Sequence, residues 1–136
     1  MISYDTNILI YALESTSDHA IAARKVVTKG EAEGAVLSVL LKQEILTGRV
    51  LMGAGTDFAK EALDSLMGAR WVEVNDTIIF QAVELTRKYG NKIKGYDAVI
   101  LATAIVGGVS KFYTNDKSLD KLGVTEIDVL PPFMDS

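Results

Sequence analysis

The sequence has no cysteine and one histidine, His19. Without cysteine there can be no disulfide framework and no thiolate metal site. One histidine likewise rules out a His-rich site. Any metal must then be held by oxygen, which points to Mg²⁺ or Mn²⁺ rather than zinc. Positive charge is also short: 14 Lys and Arg stand against 18 Asp and Glu, a net charge of -4. That argues against a broad, sequence-blind phosphate-binding surface. A nucleic acid held through a metal and a local basic rim stays open. No apolar run reaches the roughly 18 residues needed to span a bilayer. Asp5 and Glu14 interrupt the apolar N-terminal segment, so it does not read as a signal peptide. The expectation is a cytoplasmic protein with no membrane partner. No repeat, linker or low-complexity tract divides the chain, and 136 residues, 49% hydrophobic, suit a single domain spanning 1–136.

What is present is an alternation of short apolar runs and amphipathic stretches. Ile2 to Tyr4 reads as a buried strand, Asp5 falls where it ends, and Thr6-Asn7 can cap a helix reaching about Leu13. After the polar break Glu14 to Ser17, Ser17 or Asp18 caps a second helix to about Lys29, and Gly30 and Gly34 bracket a turn. Ala35 to Ser38 is a second strand. A helix from Val39 to Met52 follows, ended by Gly53 and Gly55, and Thr56-Asp57 opens another to about Met67. Trp71 to Val74 is a third strand. Asn75 or Asp76 then caps a helix to Tyr89, with Ile78, Ile79, Ala82, Val83 and Leu85 facing inward. A basic loop, Asn91 to Gly95, leads into Tyr96–Val106, which is apolar on nearly all sides and reads as a buried helix. Lys111 to Thr114 is a fourth strand, Lys117 to Leu122 a short helix, and Glu126 to Leu130 a last strand stopped by Pro131-Pro132. This order predicts an α/β fold with a central, mainly parallel sheet flanked by helices on both faces. The helix pair between the second and third strands is too long for a simple crossover, and is expected to project as a hairpin or to form a partner surface.

Four acids fall at equivalent places in that plan. Asp5 follows the first strand and Asp116 the fourth; Glu44 lies one to two turns into the helix after the second strand, and Asp97 opens the buried helix. All four places face the carboxyl edge of a parallel sheet, where ligands bind. Asp5, Asp97 and Asp116 could each serve as a helix cap. Glu44, set among apolar neighbours, has no such explanation. Converging carboxylates raise one another's pKa values, a penalty that a divalent cation removes. The reaction most consistent with an oxygen-only acidic site is metal-assisted hydrolysis of a phosphodiester.

These residues carry a resemblance. Tyr4-Asp5-Thr6-Asn7-Ile8-Leu9, Ser38 with Glu44-Ile45-Leu46, Asp97-Ala98 with Ala102-Thr103-Ala104, and Thr114-Asn115-Asp116 resemble, in order and spacing, the motifs of PIN-domain nucleases. Among these, the small VapC-type toxins are most similar, and the likeness covers nearly the whole chain. It implies a PIN-like three-layer fold and a metal-dependent endoribonuclease. By motif, Asp5, Glu44, Asp97 and Asp116 would bind Mg²⁺ or Mn²⁺ and catalyse, with Thr6, Asn7, Thr114 and Asn115 positioning them. It also implies an RNA substrate, a homodimer and a silencing antitoxin protein. Leu41 departs from the Thr or Ser common in the family, and Tyr96 is bulkier than in some relatives.

Other features take plainer readings. His19 is assigned no chemistry. Lys92, Lys94 and Lys111 could steer RNA, although a solvated loop accounts for them more simply. Trp71 reads as core or interface, Tyr11 and Tyr113 as packing residues, and Asp120 and Asp128 as surface charges. Two other functions share parts of this pattern. One is a non-catalytic PIN-like binding or assembly module, which the intact acid set argues against. The other is another Mg²⁺-dependent phosphoryl hydrolase. A haloacid-type phosphatase would carry a second Asp where Asn7 stands, and would leave Glu44 without a role.

Overall fold

A computed structural model describes residues 1–13 and 18–132. The polar break at 14–17, with the Ser17 cap, lies outside the described residues. Five strands form one sheet: β1 (Ile2–Tyr4), β2 (Ala35–Ser38), β3 (Ala69–Val72), β4 (Lys111–Tyr113) and β5 (Asp128–Leu130), in the order β3-β2-β1-β4-β5. Every pairing is parallel. The first two strands and β4 are almost wholly buried. Such short strands are held by neighbours on both sides and by helices above and below, which is why they read as continuous apolar runs.

The helices are α1 (Thr6–Leu13), α2 (Asp18–Glu33), α3 (Leu40–Leu51), α4 (Asp57–Asp64), α5 (Asp76–Tyr89), α6 (Gly95–Val106) and α7 (Lys117–Asp120). From β1 the chain moves outward through β2 to β3, then returns past β1 to β4 and β5. Right-handed crossovers in opposite directions place helices on opposite faces, giving three layers. The helix α6 buries Ala98, Ile100, Leu101, Ala102, Thr103 and Ala104. Its larger apolar side chains each contribute about 1.5–3 kcal/mol from burial alone.

Three expectations shift. The second helix runs on through Gly30 to Glu33 instead of stopping at Lys29. Gly30 is a packing glycine: a Cβ there would lie 3.2 Å from the Ala35 Cβ and 3.6 Å from Ile2, so its absence lets α2 lie close on the sheet. The true turn is at Gly34, at φ +91°. The third strand begins two residues earlier than its most apolar stretch, because β2 sets its register: Ala35 pairs with Ala69 and Ser38 with Val72. On α5, Ile78, Ala82 and Leu85 are buried, but Ile79 and Val83 lie a helical step away and line an open apolar groove of about 510 Å³.

The pair α3 and α4 leads from β2 to β3. Leu63 and Ala59 are buried, whereas Leu51 and Met52 are each 82% exposed and Met67 86% exposed. The end of α3 and the turn after α4 are therefore apolar and open to solvent. No helix among the described residues is long and apolar enough to cross a membrane.

Candidate active site

The strand order reverses between β1 and β4, the point at which an open parallel sheet leaves a crevice at its carboxyl edge. Tyr4 and Tyr113 are register partners there. The next residue, Asp5, donates its backbone N–H to the Tyr113 carbonyl at 3.0 Å, and Thr114 follows on the other strand. The two chains then part, and side chains fill the gap. Asp5 is 6% exposed. Its Oδ1 accepts from the Thr6 N–H at 2.7 Å. Its Oδ2 accepts from the Thr114 hydroxyl at 3.0 Å and, more weakly, from Asn7 Nδ2 at 3.5 Å. Asn7 Oδ1 in turn accepts from the Asn115 N–H at 3.1 Å. The Asp5 carboxyl is pushed up to about 6. Burial is the main cause; the Thr114 bond opposes it, and the charges of Asp97 and Glu44 add to it.

Asp116 caps α7, its Oδ1 accepting from the Ser118 N–H at 2.9 Å, the Ser118 hydroxyl at 2.8 Å and the Leu119 N–H at 3.4 Å. Glu44 and Asp97 differ from these two. Asp97 stands in the first turn of α6, yet no side chain caps that helix. Burial raises the Asp97 pKa, the charge of Asp116 raises it further, and Lys94 pulls the other way. Glu44 projects from α3 with Oε1 buried and without a hydrogen-bond partner. Its pKa is also raised, by burial and then by Asp97; the nearby Thr6 hydroxyl eases ionisation, although no hydrogen bond closes between them. The four predicted acids are linked through Asp97, which acts on both Asp5 and Glu44 and is itself raised by Asp116.

The oxygen-only donor set and the orphaned Glu44 oxygen fit a hard divalent cation. Among the described residues, however, no three His, Cys, Asp or Glu side chains close into a group able to hold an ion by themselves. An open arrangement of this kind suits Mg²⁺, which keeps several waters and is commonly held by one or two carboxylates plus a substrate phosphate.

The sequence model of the PIN domain matches residues 2–124. The chain belongs to the PIN domain family. PIN domains are nucleases in general and typically use divalent metal ions. No curated protein matches the chain in sequence. Among solved structures, FitAcB from Neisseria gonorrhoeae is similar at 20% identity and TM-score 0.76, covering 98% of this chain and 99% of its own. A toxin-antitoxin complex from Klebsiella pneumoniae is similar at 23% identity and TM-score 0.72, covering 98% of each chain. VapBC2 from Rickettsia felis, bound to a DNA fragment from its promoter, is similar at 19% identity and TM-score 0.73, over 96% of this chain and 98% of its own. At these identities the likeness establishes a shared fold.

Of the neighbours of the acids in this PIN domain, Ser118 was not singled out from sequence, Ser38 entered only as part of a motif, and His19 was assigned no chemistry. Ser118 holds Asp116; the Asp-x-Ser spacing at a helix start was the available signal. The Ser38 hydroxyl accepts from the Leu40 N–H at 3.2 Å and so opens α3. His19 stacks on Tyr11, ring centroids 5.1 Å apart, and lines a cavity of about 220 Å³ shared with Thr114, Asn115 and Asp116. Nothing along the chain foretold that placement. Lys94 lies near the acids, whereas Lys111 starts β4 at the opposite edge of the sheet.

Thr114 is the hub. A hydroxyl has one donor and two acceptor sites, and all three are used: it donates to Asp5, and accepts from the Asp116 N–H at 3.0 Å and from Asn7 Nδ2 at 3.5 Å. Thr114→Val keeps the shape and strips the network, leaving buried groups unpaired. The expected loss is about 1–3 kcal/mol of stability in urea denaturation. A variant within experimental error of wild type would show that water replaces the hydroxyl.

Proposed function

We propose that this PIN domain is a metal-dependent endoribonuclease and the toxin of a toxin-antitoxin pair of the VapC type. The observation that carries the reading is the pair Glu44 and Asp97. Both are partly buried carboxylates with raised pKa values, Glu44 keeps Oε1 buried without a hydrogen-bond partner, no side chain caps the helix that Asp97 opens, and the charges of both act on Asp5. Unpaired charge held at such a point costs folding free energy. A cation-binding role accounts for its presence where capping does not.

In this reading Asp5, Glu44, Asp97 and Asp116 hold Mg²⁺ or Mn²⁺. The ion would supply Lewis-acid stabilisation of the phosphodiester and an activated water. The protein's own part is positional. Thr6 and Thr114 fix both oxygens of Asp5, Asn7 ties the end of β1 to Asn115, and Ser118 fixes one oxygen of Asp116. Lys94 acts on Asp97, and Lys117 and Lys121 line the cavity beside Asp116, so positive charge borders the acids for a phosphate to approach. The cytoplasm is the expected site of action.

Support for the antitoxin comes from the similar Klebsiella pneumoniae structure, which is described as a toxin-antitoxin complex. Support for a homodimer comes from the exposed apolar side chains of Leu51, Met52, Phe58 and Met67 along the α3 and α4 segment. Large apolar side chains left open to solvent on one helix pair suit an interaction site, and a two-fold pairing would cover both copies at once. Light scattering should report twice the chain mass, and Leu51→Lys with Met67→Lys should return it to the monomer. A monomeric wild type at high micromolar concentration contradicts the pairing.

The activity is tested with purified protein on structured and unstructured RNAs. Cleavage should require Mg²⁺ or Mn²⁺ and stop in EDTA. Sustained cutting in excess chelator, by protein cleared of contaminating nuclease, would eliminate this mechanism.

A further inference from the structure

We propose that the groove beside Glu44 receives one unpaired base of a single-stranded RNA, stacked on Tyr96, while the adjoining sugar-phosphate passes over Gly48. The proposal rests on the ribonuclease reading above and narrows its substrate to RNA that is single-stranded at this position. The groove has a volume of about 370 Å³ and is lined by Gln43, Glu44, Thr47, Gly48, Leu51 and Tyr96. Two independent observations lead to its occupant.

The first is the state of Tyr96. The residue is 45% exposed although it adjoins the site. Its hydroxyl donates to Gln43 Oε1 at 2.7 Å, from α6 across to α3. The ring is thus fixed at two ends, by a backbone next to Asp97 and by a partner next to Glu44. A rigid aromatic face orders little further on binding, which favours affinity. Bases stack on such faces with little regard to sequence. A base within a duplex is already stacked and cannot do so, and RNA-binding proteins use aromatics on unpaired bases for this reason.

The second is Gly48. It is the ninth of the twelve residues of α3, where glycine is less stable than alanine. The fold gives no reason for it. A Cβ at Gly48 would meet no atom within 4 Å, and its φ is not positive. Gly30, by contrast, is needed for helix-sheet contact. Gly48 lines the groove one helical turn beyond Glu44, so the missing side chain widens the groove next to the acids. Close approach of an external chain is a use for glycine that internal packing does not supply.

The test compares Gly48→Ala, Tyr96→Ala, Tyr96→Trp and Tyr96→Phe in the full chain with Mn²⁺. The substrates are a short mixed-sequence single-stranded RNA and the same sequence as a duplex. Melting temperature and molar mass are measured beside the cleavage kinetics. Gly48→Ala should melt a few degrees higher and yet show a raised KM for the single strand. Stability and function then move in opposite senses, which a structural role would not produce. Tyr96→Ala should lower kcat/KM for the single strand by roughly 5- to 150-fold. Tyr96→Trp should keep most of it, and Tyr96→Phe should fall between. The duplex should be cut poorly by all. Wild-type kinetics in both Gly48→Ala and Tyr96→Ala would overturn the subsite and leave the ribonuclease reading intact. A change of molar mass in those variants with unchanged KM would assign the groove to a second copy of the chain, and also overturn the proposal. A wild type that neither binds nor cuts RNA would remove the ribonuclease reading itself, and the subsite with it.

Discussion

Asp97→Asn should lower ribonuclease activity by at least about 100-fold, the upper end of what is lost when a group merely supporting a metal ligand is removed. The substitution keeps the shape and removes one negative charge. A cap would survive it, because Asn caps about as well as Asp. Here the cap role is already empty, since no side chain caps α6. Stability gives the second readout. In chelator the variant should match or exceed wild type, because Asp97 repels Asp5 and Glu44 and is itself raised by Asp116. With saturating metal the wild type gains binding free energy, about 2.7 kcal/mol when the ion is at 100 times its dissociation constant. Metal binds the folded cluster far better than the unfolded chain, so it raises the wild type and raises the variant less. The order of melting temperatures should close up or reverse between chelator and Mn²⁺. A fully active variant, melting below wild type by one fixed margin in both conditions, would falsify the assignment of Asp97 as a ligand.

In chelator, folding stability should fall as pH rises from about 4 to 6, opposite to what a salt-bridged carboxylate produces. Asp5 titrates at about 6 in the folded protein against an ordinary value of 3.8. Between those values the folded state keeps a proton that the unfolded state has lost. Stability must therefore decline with rising pH across that window and level off above it. The size is roughly 3 kcal/mol for Asp5 alone, by the free energy of a pKa difference of this order. The raised pKa values of Glu44 and Asp97 act in the same sense. Saturating Mn²⁺ should flatten the decline, since it binds the deprotonated acids. Asp5→Asn should flatten it without metal. Urea midpoints that climb steadily from pH 4.5 to 7 in chelator would show that the cluster does not hold protons in this way.

The alternation of elements could be read from local chemistry. The apolar runs at Ile2–Tyr4, Ala35–Ser38 and Lys111–Tyr113 are short and buried on both faces, so composition alone marks them. The cap of α5 was legible to within two residues, Asn75 or Asp76, because a cap bonds locally; it is Asn75, which accepts from the Ile78 N–H at 3.0 Å. The four acids could be placed at one edge, because parallel strands send their carboxyl ends the same way. Gly30 misled, since a glycine that permits close packing has the same letter as one that makes a turn. The strand order and the reversal between β1 and β4 are pairings between distant segments, on which no local pattern reports. Thr114, 109 positions from Asp5, is bonded to it only because those strands are neighbours. The same holds for Tyr96 reaching Gln43 and for His19 beside Asp116. Residue types and their local spacing, set by propensity and burial, determined which side chains were available and on which elements. The packing of those elements decided which carboxylates were left unpaired, because desolvation and mutual repulsion exist only once distant segments are brought together.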